Sequence, residues 1–107
     1  MEINQYAIVL VNLDPTVGSE IKKTRPSVVI SPNEMNSHLN TIVIAPMTSS
    51  LKKYPTRIPV NHNGIKGMIA IDQVRTIDKS RIIKIFESIS KTEIENCKAV
   101  IKETFVD

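Results

Sequence analysis

Arg25 stands directly before Pro26 in the stretch TVGSEIKKTRP, residues 16–26. A residue preceding proline is pushed towards extended backbone geometry. The guanidinium is therefore expected at the root of a strand, where it is better fixed than at a loop tip. A planar, permanently charged fork of donors can grip a phosphate through two hydrogen bonds. Close by, Ser19, Lys22, Lys23 and Thr24 supply donors and positive charge, and Glu20 supplies an acceptor. Gly18 can take backbone angles that other residues avoid. A solvated loop with an Arg25–Glu20 ion pair uses the same residues and stays open as the alternative.

Two further clusters carry polar groups at places where a sheet would present them. In Ala45-Pro46-Met47-Thr48-Ser49-Ser50 a proline interrupts pairing and three hydroxyls follow; taken alone this is a turn. In Asp72-Gln73-Val74-Arg75-Thr76 polar and apolar residues alternate, giving one polar and one apolar face. An exposed strand end accounts for that pattern equally well.

Other chemistries find little support. His38 and His62 lie far apart with no Cys, Asp or Glu at ligand spacing, and each reads as a loop or surface residue. The one cysteine, Cys97, falls on an apolar stripe and reads as a buried thiol. It cannot form an intramolecular disulfide, which suits a reducing compartment. No Gly-rich phosphate loop is present, and the residues call for no metal or other cofactor.

The chain of 107 residues fits one domain spanning 1–107. Aromatic content is only 4%, too little for a base-stacking platform of several rings. No cleavable leader is visible, and no apolar run nears the roughly 18 residues that span a bilayer. A cytoplasmic protein without membrane contact is expected. The net charge of +3 is unevenly spread. Met35 to Ile71 contains no Asp or Glu but includes Lys52, Lys53, Arg57 and Lys66, whereas the segment from Glu87 is acid-rich. Such asymmetry suits a polyanion on one face, although a mildly basic solvated surface would look the same.

The elements that must position these groups are mostly strands. Residues 6–13 (YAIVLVNL), 26–31 (PSVVIS) and 41–47 (TIVIAPM) are β-branched runs bounded by turn residues. Residues 57–60 form a short strand with nearby prolines, expected at an edge. Residues 68–71 and 73–77 read as strand, either separate or one long bent strand, and 82–85 as a further short strand. Ser90-Lys-Thr-Glu93 has capping-box spacing. Ile94, Cys97, Ile101 and Phe105 then repeat as one stripe of a helix. Short strands followed by one helix predict a mainly β fold, a small barrel with a C-terminal α-helix. The connection over residues 16–26 is about twice as long as a tight hairpin needs.

Together these segments resemble the MazF/PemK (Kid) family of toxin endoribonucleases over nearly the whole chain. The similarity runs through VLVNLDPTVGSE, KTRPSVVISP, TIVIAPMTS, YPTRIPV and DQVRTIDKSRI in that order. The family's opening Gly-Asp is Tyr6-Ala7 here, and the Asp after VLV is Asn12. The resemblance implies an SH3-like β-barrel of the PemK/CcdB type that forms a homodimer. It implies metal-independent cleavage of single-stranded RNA, often mRNA at short motifs, and silencing by a cognate MazE-like antitoxin whose disordered segment blocks the RNA groove. By motif match, the family's catalytic arginine falls on Arg25 and its catalytic threonine on Thr48.

Cleavage through the RNA's own 2′-hydroxyl needs a group that steadies phosphoryl charge, for which Arg25 and Thr48 serve. It also needs a proton acceptor. Glu20, the only carboxylate of the 16–26 loop, is a secondary candidate for that role, with orienting Arg25 or contacting a base as its alternatives. Ser19, Lys22, Lys23, Ser49, Lys53, Gln73 and Arg75 are expected to line the RNA path. Two readings from other classes remain: a CcdB-like gyrase poison that acts by binding protein, and an RNA-binding barrel without catalysis.

Overall fold

The computed structural model describes residues 2–21 and 23–106. Lys22, expected on the RNA path, lies outside the described residues. The chain forms β1 (Ala7–Asn12), β2 (Thr24–Val29), α1 (Asn33–His38), β3 (Thr41–Thr48), β4 (Arg57–His62), β5 (Ile65–Ala70), β6 (Arg75–Asp78), β7 (Ile82–Ser88) and α2 (Lys91–Ile101). The strands make one antiparallel sheet in the order β4-β5-β3-β2-β1-β7, with β6 also on β3. It curls into a half-barrel, the mainly β fold with a C-terminal helix that the strand pattern predicts. β4 lies at an edge, as its prolines require.

The apolar runs are continuous rather than alternating because both faces of the central strands are covered. On β1, Ile8 joins one core cluster while Val9 and Val11 join the other. On β2, Val28 and Val29 divide the same way. The first cluster adds Ala45, Met47, Ile58, Ile69 and Cys97, against which Ile94 and Ile101 of α2 pack. The second adds Leu13, Ile42, Ile44 and Ile77.

β3 explains the bent strand near the C-terminal half. Along one edge its residues 41–44 pair with β6 and its residues 47–48 pair with β5. Between them the partner chain makes a 3₁₀ turn at Ile71–Gln73. That gap falls opposite Ala45-Pro46, and proline has no N–H for a ladder bond. Along β3's other edge Pro46 stays in register, opposite Ser27 of β2, so the strand runs on to Thr48.

Three details differ from expectation. α1 follows Pro32, between the second and third strand runs, where the sequence pattern marks no element; six residues are too few to show a helical period. β4 and β5 extend to meet in a hairpin at Asn63-Gly64, whose φ angles of 53° and 79° are both left-handed, as a type I′ turn requires. Phe105 is 57% exposed, off the apolar stripe, because the chain leaves α2 in a wider turn over Lys102–Val106. The capping box is present: Ser90 Oγ accepts from Glu93 N, and the Glu93 carboxylate accepts from Ser90 N.

Candidate active site

Register brings the two motif residues together. Ser27 lies opposite Pro46, Val28 opposite Ala45 and Val29 opposite Ile44. The paired stretch ends at Ser27 and Pro46; continuing its register by two residues would set Arg25 opposite Thr48, on one face of the sheet. Both are half-buried, and both line a cavity of about 150 Å³. Ser49, Pro26, Met47, His62 and Lys66 line it too.

The backbone at Thr48 is held tightly. A Cβ added to Gly67, its neighbour on β5, would lie 2.8 Å from the Thr48 carbonyl oxygen. Only glycine lets β5 approach that closely. The Thr48 Oγ1 in turn accepts from Ser50 N at 3.2 Å, bending the chain out of the sheet.

The loop between β1 and β2 is fastened at its feet. Asp14 Oδ1 accepts from Lys23 N at 2.9 Å, and Leu13 N donates to the Lys23 carbonyl at 3.0 Å. Gln73 Oε1 accepts from Ile21 N at 2.6 Å. Arg75 donates to the Leu13 carbonyl, and Arg81 donates to the carbonyls of Asn12 and Asp14. At the tip, Glu20 Oε1 accepts from Val17 N at 2.5 Å and Gly18 takes φ 59°.

Sequence-predicted residues thus fall into groups. Arg25, Thr48 and Ser49 share one cavity. Ser19, Glu20, Gln73 and Arg75 line a second, of about 410 Å³. Lys53 lines a third, of about 600 Å³, which shares Val60, Lys66 and Gly67 with the first. Lys23 is exposed beside the loop foot. Glu20 is not among the residues that line the Arg25–Thr48 cavity.

The sequence set His62 aside as a loop or surface residue, whereas it ends β4 and is half-buried; Arg57 figured only as part of the basic stretch. Arg57, on the wall of the third cavity, is paired with Asp72 at 2.7 and 3.1 Å, and Thr56 donates to the same carboxylate. The Arg57 guanidinium holds the Asp72 carboxyl below its usual range, and Asp72 in turn raises Arg57. His62 is half-buried at the Arg25 cavity, its ring edge-on to Phe86 at 4.9 Å. The signal that could have placed it is Asn63-Gly64, which fixes His62 as the last residue before a tight turn. Among the described residues, no group of three or more His, Cys, Asp or Glu is arranged to hold a metal. No helix among them is long and apolar enough to cross a membrane.

A profile of the PemK-like, MazF-like toxins of type II toxin–antitoxin systems matches residues 4–105. The chain is similar to Endoribonuclease MazF of Staphylococcus epidermidis, with 28% identity over 86% of this chain and 82% of that one. It is also similar to Endoribonuclease MazF of Staphylococcus saprophyticus, with 31% identity over 70% of this chain and 68% of that one. Its fold matches a chain in the MazE–MazF crystal structure from Deinococcus radiodurans, with a TM-score of 0.80 and 19% identity over 100% of this chain and 99% of that one.

Proposed function

The chain belongs to the PemK-like, MazF-like toxin family of type II toxin–antitoxin systems, and from that premise we propose that it is a sequence-specific endoribonuclease cutting single-stranded RNA without a metal. The observation that carries the reading is that Arg25 and Thr48 line one cavity. Relatives named Endoribonuclease MazF support the same activity.

The chemistry follows from the substrate. The RNA's 2′-oxygen attacks the adjacent phosphorus, the bond to the 5′-oxygen breaks, and the products carry a 2′,3′-cyclic phosphate and a 5′-hydroxyl. The Arg25 guanidinium can fork two donors onto the phosphoryl oxygens as their charge grows. The Thr48 hydroxyl donates a further bond to the same group. Lys66, which lines both the first and third cavities, and Lys53 in the third supply positive charge for the RNA backbone. Ser19, Gln73 and Arg75, in the second cavity beside the loop, are placed to meet bases or sugars. The protein works in the cytoplasm as a homodimer, with a MazE-like antitoxin as inhibitor. The MazF of Deinococcus radiodurans is found with MazE in such a complex. An acidic, partly apolar peptide would compete for the same basic track.

The test is cleavage of a long, mixed-sequence single-stranded RNA in EDTA, with the fragment ends sequenced and their 5′ groups identified. Arg25→Ala and Thr48→Ala should each lower the rate by about 10²–10³, the usual loss for one preorganised donor. Wild-type rates in both variants would sink the reading, and intact RNA alongside inhibited gyrase supercoiling would favour a gyrase poison instead.

A further inference from the structure

Glu20, the carboxylate nearest Arg25 in sequence, is engaged by Val17 N and lines a different cavity. Asp72 is engaged by Arg57 and Thr56. Among the described residues, those lining the Arg25–Thr48 cavity include no carboxylate and a single imidazole, that of His62, a group able to take and give a proton. We propose that His62 is the proton-transfer residue of this site, taking the 2′-hydroxyl proton while Arg25 and Thr48 hold the phosphate. This rests on the endoribonuclease reading above.

The local structure holds the ring in place. His62 pairs with Ile65 across the hairpin turn, and Asn61 Oδ1 accepts from Gly64 N at 2.9 Å to lock that turn. Asn61 N is itself bound to the Glu93 carboxylate at the start of α2, 2.9 Å away. On its other side the imidazole meets the edge of Phe86 with an interplanar angle of 72°. A proton acceptor on a short, doubly fastened hairpin keeps its geometry without help from the mobile substrate. The charged groups around it are Arg25 from β2, Lys66 from β5, and Lys84 and Glu87 from β7. Lys84 stands over the Phe86 ring at 5.0 Å, and Glu87 lines another cavity that His62 and Phe86 also line.

In the step itself, the neutral imidazole takes the 2′-hydroxyl proton and becomes imidazolium. The freed electron pair on the 2′-oxygen bonds to phosphorus, and the departing 5′-oxygen keeps the electrons of the broken bond and takes a proton from water. The imidazolium then returns its proton to solvent.

The experiment measures single-turnover cleavage of a long, mixed-sequence single-stranded RNA by the full-length protein across about pH 5 to 8.5. The wild-type rate should rise with pH over the neutral range. His62→Gln should lose that rise and cut about 10²–10⁴ times more slowly at neutral pH, the usual contribution of a positioned base. Added imidazole should restore part of the rate to His62→Ala and nothing to Arg25→Ala. A flat wild-type profile overturns the proposal, as does a His62→Gln variant with wild-type rate and profile. If the wild-type protein leaves the RNA intact, the endoribonuclease reading falls instead.

Discussion

Replacing Gly67 by alanine tests whether the close approach of β5 to β3 fixes the Thr48 end of the site. The added Cβ would lie 2.8 Å from the Thr48 carbonyl oxygen, against an ordinary contact of 3.4 Å or more. The colliding atom belongs to backbone, so no side chain can swing away. One strand must shift by roughly 0.6 Å relative to the other. Overpacking of this kind costs about 1–3 kcal/mol. Alanine also restricts the unfolded chain, which returns about 0.4–1 kcal/mol. The net loss is about 1–2 kcal/mol, or about 4–8 °C in Tm for a domain of this size. Displacing a substrate-holding group by a full 1 Å can cost about 10²-fold in rate, so a shift of this size should cost about tenfold. The assay pairs thermal unfolding with single-turnover RNA cleavage. Equal Tm and equal rate in Gly67→Ala and wild type would refute the reasoning, because the contact would then not constrain Thr48.

Two other groups give predictions away from the reacting phosphate. The Asp72 carboxyl is held below its ordinary 3.8 by Arg57 first and Thr56 next. A depressed folded value means stability that is present above 3.8 and lost as pH falls towards the folded value. Asp72→Asn should therefore be less stable than wild type at about pH 7, by under about 1 kcal/mol after solvent screening, and the gap should narrow as pH falls below 3.8; a gap that does not narrow would contradict this. Burial, and then the nearby Glu93 charge, push the Cys97 thiol up to about 12. A thiol-directed disulfide reagent at about pH 8 should modify it only as fast as the protein unfolds, with urea accelerating the reaction, and rapid labelling of the native protein would disprove the burial argument.

The strands were legible because β-branched runs of this length have few other uses, and both-face burial left them uninterrupted. The capping box marked the start of α2 for a similar reason: two side chains satisfy two backbone donors at fixed spacing. α1 was not legible, since one and a half turns carry no periodic signature. The loop over residues 16–26 was visible as too long and too charged for a tight hairpin, but its fastening was not. Gln73, Arg75 and Arg81 reach it from residues more than fifty positions away. The pairing of Arg25 with Thr48 came from family resemblance rather than from local pattern, because cross-strand neighbours depend on register. His62 was passed over because its surroundings in sequence are bland. Its place beside Arg25 comes from the hairpin's path across the sheet.

The fastening of the β1–β2 loop separates its two feet from its tip. Hydrogen bonds with Asp14, Gln73, Arg75 and Arg81 hold the chain on both sides of residues 17–20, while among the described residues the tip is closed by its own Glu20–Val17 contacts. Lengthening an anchored loop costs little, about 0.6 kcal/mol per doubling. Insertions and substitutions at the tip can therefore accumulate without disturbing the strand that carries Arg25. On the proposed reading, a fold built this way would let nucleotide preference drift while the phosphate grip is inherited intact.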